Sequence, residues 1–223
     1  MPAPPFRAAV FDMDGLLIDS ERPILVAWLQ ATREFGAPLT EADYLHVVGC
    51  GEADTRAQLQ QCLGDACSYD AARARVGSLL APHQAQGFAV KSGVVALLQQ
   101  LRERAVPCVV ASSTERAEVQ RRLQQAGLAG FFTSVSGGDE VTRGKPHPDL
   151  FLLAAQRAQL RPWDCLAFED SEHGARAAVA AGMAVVIVPD LKPPGAEARA
   201  ASLAVLASLR EAQAHIGRWF GHR

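Results

Sequence analysis

Two aspartates one residue apart and followed by glycine, Asp12-Met13-Asp14-Gly15, are the first residues of this 223-residue chain whose types and spacing suggest chemistry. Such a pair sets one carboxylate and the intervening backbone carbonyl on the same side of a tight loop, an oxygen-only arrangement suited to Mg²⁺. A second acidic pair, Glu169-Asp170, would complete the set of oxygens. Two further positions suit an anion. Ser112 precedes a helical pattern whose free N–H groups would attract negative charge. Lys145 stands in Gly144-Lys145-Pro146-His147-Pro148-Asp149, where two prolines stiffen the backbone and give the ammonium a defined direction. Taken singly, each has a plainer reading: a solvated turn for the aspartates, a solvated loop for the lysine, and helix caps for Ser112 and Glu169-Asp170-Ser171.

The elements that must position these residues make the plainer readings hard to sustain together. Apolar runs cover 7–11, 106–111, 165–168 and 184–188, and each ends in polar residues at its carboxyl end. Helical patterns lie among them at 115–126 with Gly127 as a stop, at 148–159 with Pro148 in the first turn, and at 172–181 closed by Gly182. Uniformly apolar strands alternating with helices predict a parallel sheet covered on both faces, an α/β Rossmann-like core. Ligands bind beyond the carboxyl ends of such strands. There the sequence puts Asp12, Asp14, Ser112, Lys145, Glu169 and Asp170, as an acidic pair, a hydroxyl, a lysine and a second acidic pair in chain order.

Residues 21–86 have a different pattern, helical throughout. Ile24, Leu25, Trp28, Leu29 and Phe35 form an apolar stripe, Thr40-Glu41-Ala42-Asp43 has the form of a capping box, and 52–63 and 69–81 predict two more helices. The chain thus reads as a sheet domain over 1–20 and 87–223, interrupted after its first strand by a four-helix insertion, with Gly87 and Gly93 near the second crossing.

Composition narrows the function. Hydrophobic residues at 49%, charged residues at 21% and a net charge of −2 describe a globular chain with no basic field for nucleic acid. The opening MPAPPFRAAVF has no apolar run of the length a signal peptide or membrane span needs, so a soluble cytoplasmic protein without a membrane partner is expected, with monomer as the default state. Cys50, Cys62, Cys67, Cys108 and Cys165 are odd in number and contain no C-x-x-C pair, which favours reduced thiols. Of 22 basic residues only Lys91, Lys145 and Lys192 are lysines. Chemistry that needs a lysine has few places to reside.

The ordered set Asp12-Met13-Asp14-Gly15, Ser112-Ser113-Thr114, Lys145-Pro146 and Glu169-Asp170 resembles the motifs of the haloacid dehalogenase superfamily, and the likeness extends over essentially the whole chain, insertion included. The resemblance implies an Mg²⁺-dependent phosphatase acting on a small phosphorylated metabolite, with residues 21–86 as a mobile helical cap. It implies that Asp12 attacks phosphorus to form an aspartyl-phosphate, that Asp14 serves as acid and then base, and that Ser112, Ser113 and Lys145 bind the phosphoryl oxygens. The metal is implied to rest on Asp12, Asp170 and the Asp14 carbonyl, with Glu169 as a ligand or directly behind one.

Branches of the superfamily separate on single residues. Dehalogenases lack the second aspartate, which is present here as Asp14, and phosphonoacetaldehyde hydrolases need a cap lysine, whereas 21–86 contains none. β-Phosphoglucomutases share the four motifs but use a histidine after the first motif and a cap arginine after a Gly-Val-Ser turn. The matching stretches, Glu21-Arg22-Pro23-Ile24 and Val48-Gly49-Cys50-Gly51-Glu52, have neither, so a phosphatase is expected over a mutase. Receiver domains also combine an aspartyl acceptor with hydroxyl, lysine and acidic ligands, but place the acceptor on a middle strand and lack a cap. Arg56, His46 and His83 in the insertion are expected on solvated or half-buried faces, Trp28, Trp163 and Trp219 in packing, and His147 and Lys91 are left without a role.

Overall fold

The computed structural model describes residues 6–48 and 52–221. In chain order the strands are β1 (Ala8–Phe11), β2 (Cys108–Ala111), β3 (Ser134–Ser136), β4 (Cys165–Glu169), β5 (Ala184–Ile187) and β6 (Ala204–Val205). The α-helices are α1 (Glu21–Glu34), α2 (Glu41–Val47), α3 (Glu52–Leu63), α4 (Tyr69–Gln86), α5 (Val94–Glu103), α6 (Arg116–Gln125), α7 (Asp149–Arg157), α8 (Glu172–Ala180), α9 (Ala196–Ala201), α10 (Leu209–Ala212) and α11 (Ile216–Phe220). Contacts divide the chain into two compact units, Met1–Ile18 with Ala89–Arg223, and Asp19–Phe88.

In the first unit the six strands form one sheet in the order β3-β2-β1-β4-β5-β6, every neighbouring pair parallel. The α/β Rossmann-like expectation therefore holds. The four apolar runs become β1, β2, β4 and β5, and the two short edge strands lie outside what the sequence pattern assigns. They are short and only partly buried; β3 carries two serines, and β6 is two residues inside the apolar stretch 203–207. Helix α5 is also additional, although buried Val94, Leu97, Leu98 and Leu101 give it a clear helical stripe.

Alternation along the central strands divides their side chains between two faces. Ala8, Val10, Val109, Ala111, Cys165, Ala167, Val185 and Ile187 share one buried cluster with α7 and α8, the latter contributing alanines that let the helix lie close. On the other face Phe11 and Phe168, paired in register, stack at 4.8 Å and 8°, with Phe132 and Trp219 edge-on to them. Cys108 and Cys165 are buried thiols in this sheet, and burial pushes Cys108 up to about 12. Gly93 begins α5 with φ 87°, and a side chain there would overlap the backbone of Arg210. Lys91 acquires a role: its N–H bonds the Leu17 carbonyl, and its ammonium pairs with the buried carboxylate of Asp190 beyond β5.

The second unit holds α1 to α4. Thr40 and Asp43 make the expected reciprocal capping box. Trp28 lies against Tyr44 and Tyr69, and the Thr32 hydroxyl ties the end of α1 to the following turn, donating to the Trp28 carbonyl and accepting from Leu39 N–H. Helix α4 runs to Gln86, past the stop expected before Pro82; proline withholds one N–H bond, and the helix continues on the remainder. Arg56 makes two bonds to Asp70 and lies over the Tyr69 ring, His46 is exposed, and His83 stacks on Phe88. Trp163, expected in packing, is 59% exposed with Arg161 against its ring. Cys50 and the turn at 49–51 lie outside the described residues. Among those described, no helix is long and apolar enough to cross a membrane.

The stacked pair makes a direct test of the sheet. Phe168→Ala removes a fully buried ring in contact with two others and should cost about 3–5 kcal/mol, read from chemical denaturation of the full chain.

Candidate active site

Strand register brings the polar ends to one level. Phe11 pairs with Val110 on one side and Phe168 on the other, so the next residues along, Asp12, Ala111 and Glu169, stand side by side. The ladder continues past the strands: Asp12 N–H bonds the Phe168 carbonyl at 3.0 Å, and Ser112 N–H bonds the Ser136 carbonyl at 3.1 Å. Beyond Asp12 the chain folds back at once, with Leu17 N–H bonding the Met13 carbonyl and Gly15 at φ 78°. The Asp14 side chain is thereby directed at the end of β2.

Two clusters result. In the first, the Lys145 ammonium lies 2.6 Å from Asp12 Oδ1 and also bonds Glu169 Oε1. All three are shielded, with side-chain exposures of 7% for Lys145, 8% for Asp12 and none for Glu169. The Phe151 ring lies 5.1 Å from the ammonium. Burial works against a charged lysine, and the two carboxylates more than reverse it, so Lys145 is held above the ordinary lysine value. Burial pushes the Asp12 carboxyl well above the usual carboxylate range against the pull of Lys145, and the nearby Glu169 and Asp14 add to it.

Glu169 has both oxygens engaged: Oε1 by Lys145, and Oε2 by the N–H and the hydroxyl of Ser171, each at 3.0 Å. Of the two places expected for it, ligand or directly behind one, this inward-facing carboxylate on partners of the protein itself suits the second. Ser171 accepts from Gly174 N–H at 3.1 Å and so caps α8, a helix-capping role that coexists with its bond to the site. Asp170, the next residue along from Glu169, is partly exposed. Among the described residues no group of three or more His, Cys, Asp or Glu side chains is gathered to hold a metal ion.

In the second cluster, Asp14 Oδ2 accepts from the Thr114 hydroxyl at 2.8 Å and from the Ser112 hydroxyl at 3.5 Å, while Oδ1 accepts from Arg122 Nη1 at 2.6 Å. Ser112 is buried and its Oγ accepts from Thr114 N–H, so it closes a tight turn and does not cap α6. Ser113 is exposed, its carbonyl packed against Gly138. The structure thus brings together Asp12, Lys145 and Glu169, and Asp14 with Ser112. Thr114 and Arg122 are additions. Arg122 left a signal in the sequence, since it adjoins the buried Val119 and Leu123 on α6 and so cannot lie on the helix's outer face. His147 is exposed.

Known proteins are similar to this chain over most of its length. A family model described as haloacid dehalogenase-like hydrolase matches residues 6–182. The chain is 29% identical over 177 residues to a phosphorylated carbohydrates phosphatase of Thermotoga maritima, covering 79% of this chain and 82% of that one. It is 29% identical to hexitol phosphatase A of Escherichia coli, covering 82% of each. Among solved structures, a HAD family hydrolase from Deinococcus radiodurans with bound phosphate and sodium superposes with a TM-score of 0.78 at 28% identity, covering 96% of both chains.

A methyl group on Gly174 would overlap the Glu169 carboxylate, which has no free space to enter. Gly174→Ala should therefore lower the melting temperature by several degrees and, by turning Glu169 off Lys145, reduce turnover about tenfold or more. Parallel melting and kinetic measurements on the variant check both.

Proposed function

The chain belongs to the haloacid dehalogenase-like hydrolases, as one of their phosphatases, and from that premise we propose that it hydrolyses a small sugar or polyol phosphate through an aspartyl-phosphate on Asp12. The observation that carries the reading is the Lys145 ammonium buried against Asp12, with Asp14 beside the Ser112 hydroxyl one strand away. A carboxylate nucleophile, a cation and a hydroxyl for phosphoryl oxygens, and a second carboxylate for proton transfer converge at one sheet edge.

In the first step an Asp12 oxygen attacks phosphorus, the phosphorus–oxygen ester bond breaks, and protonated Asp14 gives its proton to the departing alkoxide, which leaves as the alcohol. In the second, water attacks the phosphorus of the aspartyl-phosphate and yields a proton to Asp14. The bond to Asp12 breaks, inorganic phosphate leaves, and both aspartates return to their starting forms. Lys145 and Ser112 hold the phosphoryl oxygens and reduce repulsion between the anionic substrate and Asp12. Residues 21–86 are assigned as the helical cap unit and 1–20 with 87–223 as the catalytic core; a cap that closes on its ligand suits small metabolites better than macromolecules.

The residues fit Mg²⁺ in donor type, since the groups offered at the ends of β1 and β4, the Asp12 and Asp170 carboxylates and the Asp14 carbonyl, are all oxygens. Asp12, Asp170 and the Asp14 carbonyl would hold the ion, with Glu169 fixing Lys145 and Ser171 behind them. Bound there, it neutralises charge between Asp12 and the transferring phosphoryl group.

A panel of phosphate monoesters with Mg²⁺, β-glucose 1-phosphate included, should release inorganic phosphate, fastest from sugar or polyol phosphates. Asp12→Asn should lower kcat by about 10³-fold or more on every substrate. Unchanged hydrolysis in that variant, or isomerisation of β-glucose 1-phosphate in place of phosphate release, overturns the assignment.

A further inference from the structure

We propose that Arg122 is a positioning residue for the acid–base carboxylate: its guanidinium and the Thr114 hydroxyl together fix Asp14 in the orientation from which it reaches the substrate's ester oxygen. The inference rests on the phosphatase reading above and adds a residue which that reading does not use.

Arg122 is on the sheet side of α6, its side chain 14% exposed, flanked by buried Val119 and Leu123. Its fork spans two carboxylates. Nη1 donates to Asp14 Oδ1 at 2.6 Å, and Nε donates to Glu118 Oε1 at 2.8 Å. Glu118 is fixed in turn by two bonds from Arg121, and these, followed by the Arg122 bond, hold its carboxyl down at about 2, so the anchor stays charged. The Thr114 side is equally constrained. Thr114 N–H bonds Ser112 Oγ, and its carbonyl accepts from Gly138 N–H at 2.9 Å. Asp139 Oδ1 accepts from Arg116 N–H at 2.7 Å, which ties the loop after β3 to the first residue of α6. Gly137 and Gly138 pass so close to Arg116 and Ser113 that neither position admits a side chain. Each Asp14 oxygen therefore meets a partner that is itself immobilised, next to the Ser112 hydroxyl that would hold the phosphoryl group. A carboxylate that must deliver a proton to one particular oxygen gains most from such restraint, because a displacement of about 1 Å can cost about 10²-fold in rate.

A merely structural ion pair and a positioning role differ in their dependence on the leaving group. An alkyl phosphate expels a basic alkoxide that needs the proton of Asp14, whereas p-nitrophenyl phosphate expels a stable phenolate that does not. The test compares first-turnover rates of wild type, Arg122→Met and Arg122→Lys on hexitol phosphate and on p-nitrophenyl phosphate. Arg122→Met should lower the rate on the alkyl phosphate about tenfold or more with KM within about twofold. It should leave nitrophenolate release within about threefold, and Arg122→Lys should recover part of the loss. If Arg122→Met melts before assay, Glu118→Gln, which loosens the anchor, should give a smaller loss with the same leaving-group dependence. Equal losses on both substrates, no loss on either, or faster turnover overturns the inference while wild-type hydrolysis still supports the phosphatase reading. A wild type that hydrolyses no monoester overturns both.

Discussion

The Lys145 ammonium between the Asp12 and Glu169 carboxylates sets the terms for the rest of the sheet edge. None of the three side chains is more than 8% exposed. An isolated carboxylate at such a depth costs several kcal/mol, and removing one partner from a buried pair typically costs about 3–5 kcal/mol. The three groups therefore have to be delivered together. Asp12 and Glu169 arrive on adjacent strands in register, and Lys145 arrives on the loop that leads into α7, with Phe151 beneath it. The remaining oxygen of Glu169 is satisfied by Ser171, which also caps α8, and α8 must present Gly174 because the carboxylate fills the space a methyl would take. One buried charge cluster thus constrains two strands, one loop and the start of one helix.

The chain's winding determines where that cluster forms. From β1 the chain proceeds outward through β2 and β3, then returns to place β4 on the other side of β1 and continues to β5 and β6. The reversal falls between β1 and β4, the point at which doubly wound sheets leave a crevice for ligands because the flanking crossovers depart in opposite directions. Asp12 and Glu169 meet at that point. On the far side of β1, the end of β2 supplies Ser112 and Thr114, which face Asp14 and not Asp12. The two aspartates of the first motif accordingly have different neighbours, a buried lysine for one and hydroxyls with an arginine for the other. That asymmetry suits one to bond formation and the other to proton movement.

Most of this was legible in the sequence where the local pattern and the tertiary environment agree. The four central strands are uniformly apolar because they are buried on both faces, so their ends could be found, and Asp12, Ser112 and Glu169 with them. β3 failed that rule because an edge is only half covered and three residues with two serines give no apolar run; β6 lies in the apolar stretch 203–207 but pairs over only two residues and ends in no candidate site residue. Helix α4 passed its proline because neighbouring helices hold it, a tertiary effect invisible to a local rule. Glu169 was readable as a site residue, but its orientation was not: whether a carboxylate at a strand end faces outward to a metal or inward to a lysine depends on which residue of another loop fills the space. Arg122 is the instructive miss. On a helix that also carries Arg116, Arg121, Gln120, Gln124 and Gln125, its type says solvent, and only its place beside Val119 and Leu123 says otherwise.

The choice of cation at the two clusters has a physical logic in a chain whose basic residues are nearly all arginine. Between Asp12 and Glu169 a compact point charge on a thin stem meets one oxygen of each carboxylate, where a guanidinium would present a planar fork. At Asp14 the requirement is reversed. There the partner must reach from a helix to a carboxylate while bracing itself on a second one, and the divergent N–H groups of Arg122 do so in a single rigid plane across Glu118 and Asp14. A lysine there would restore the charge but not the direction. Asp12 is thus held by a point charge on a flexible stem, and Asp14 by a rigid plane. That difference follows from side-chain shape, because both cations carry the same charge.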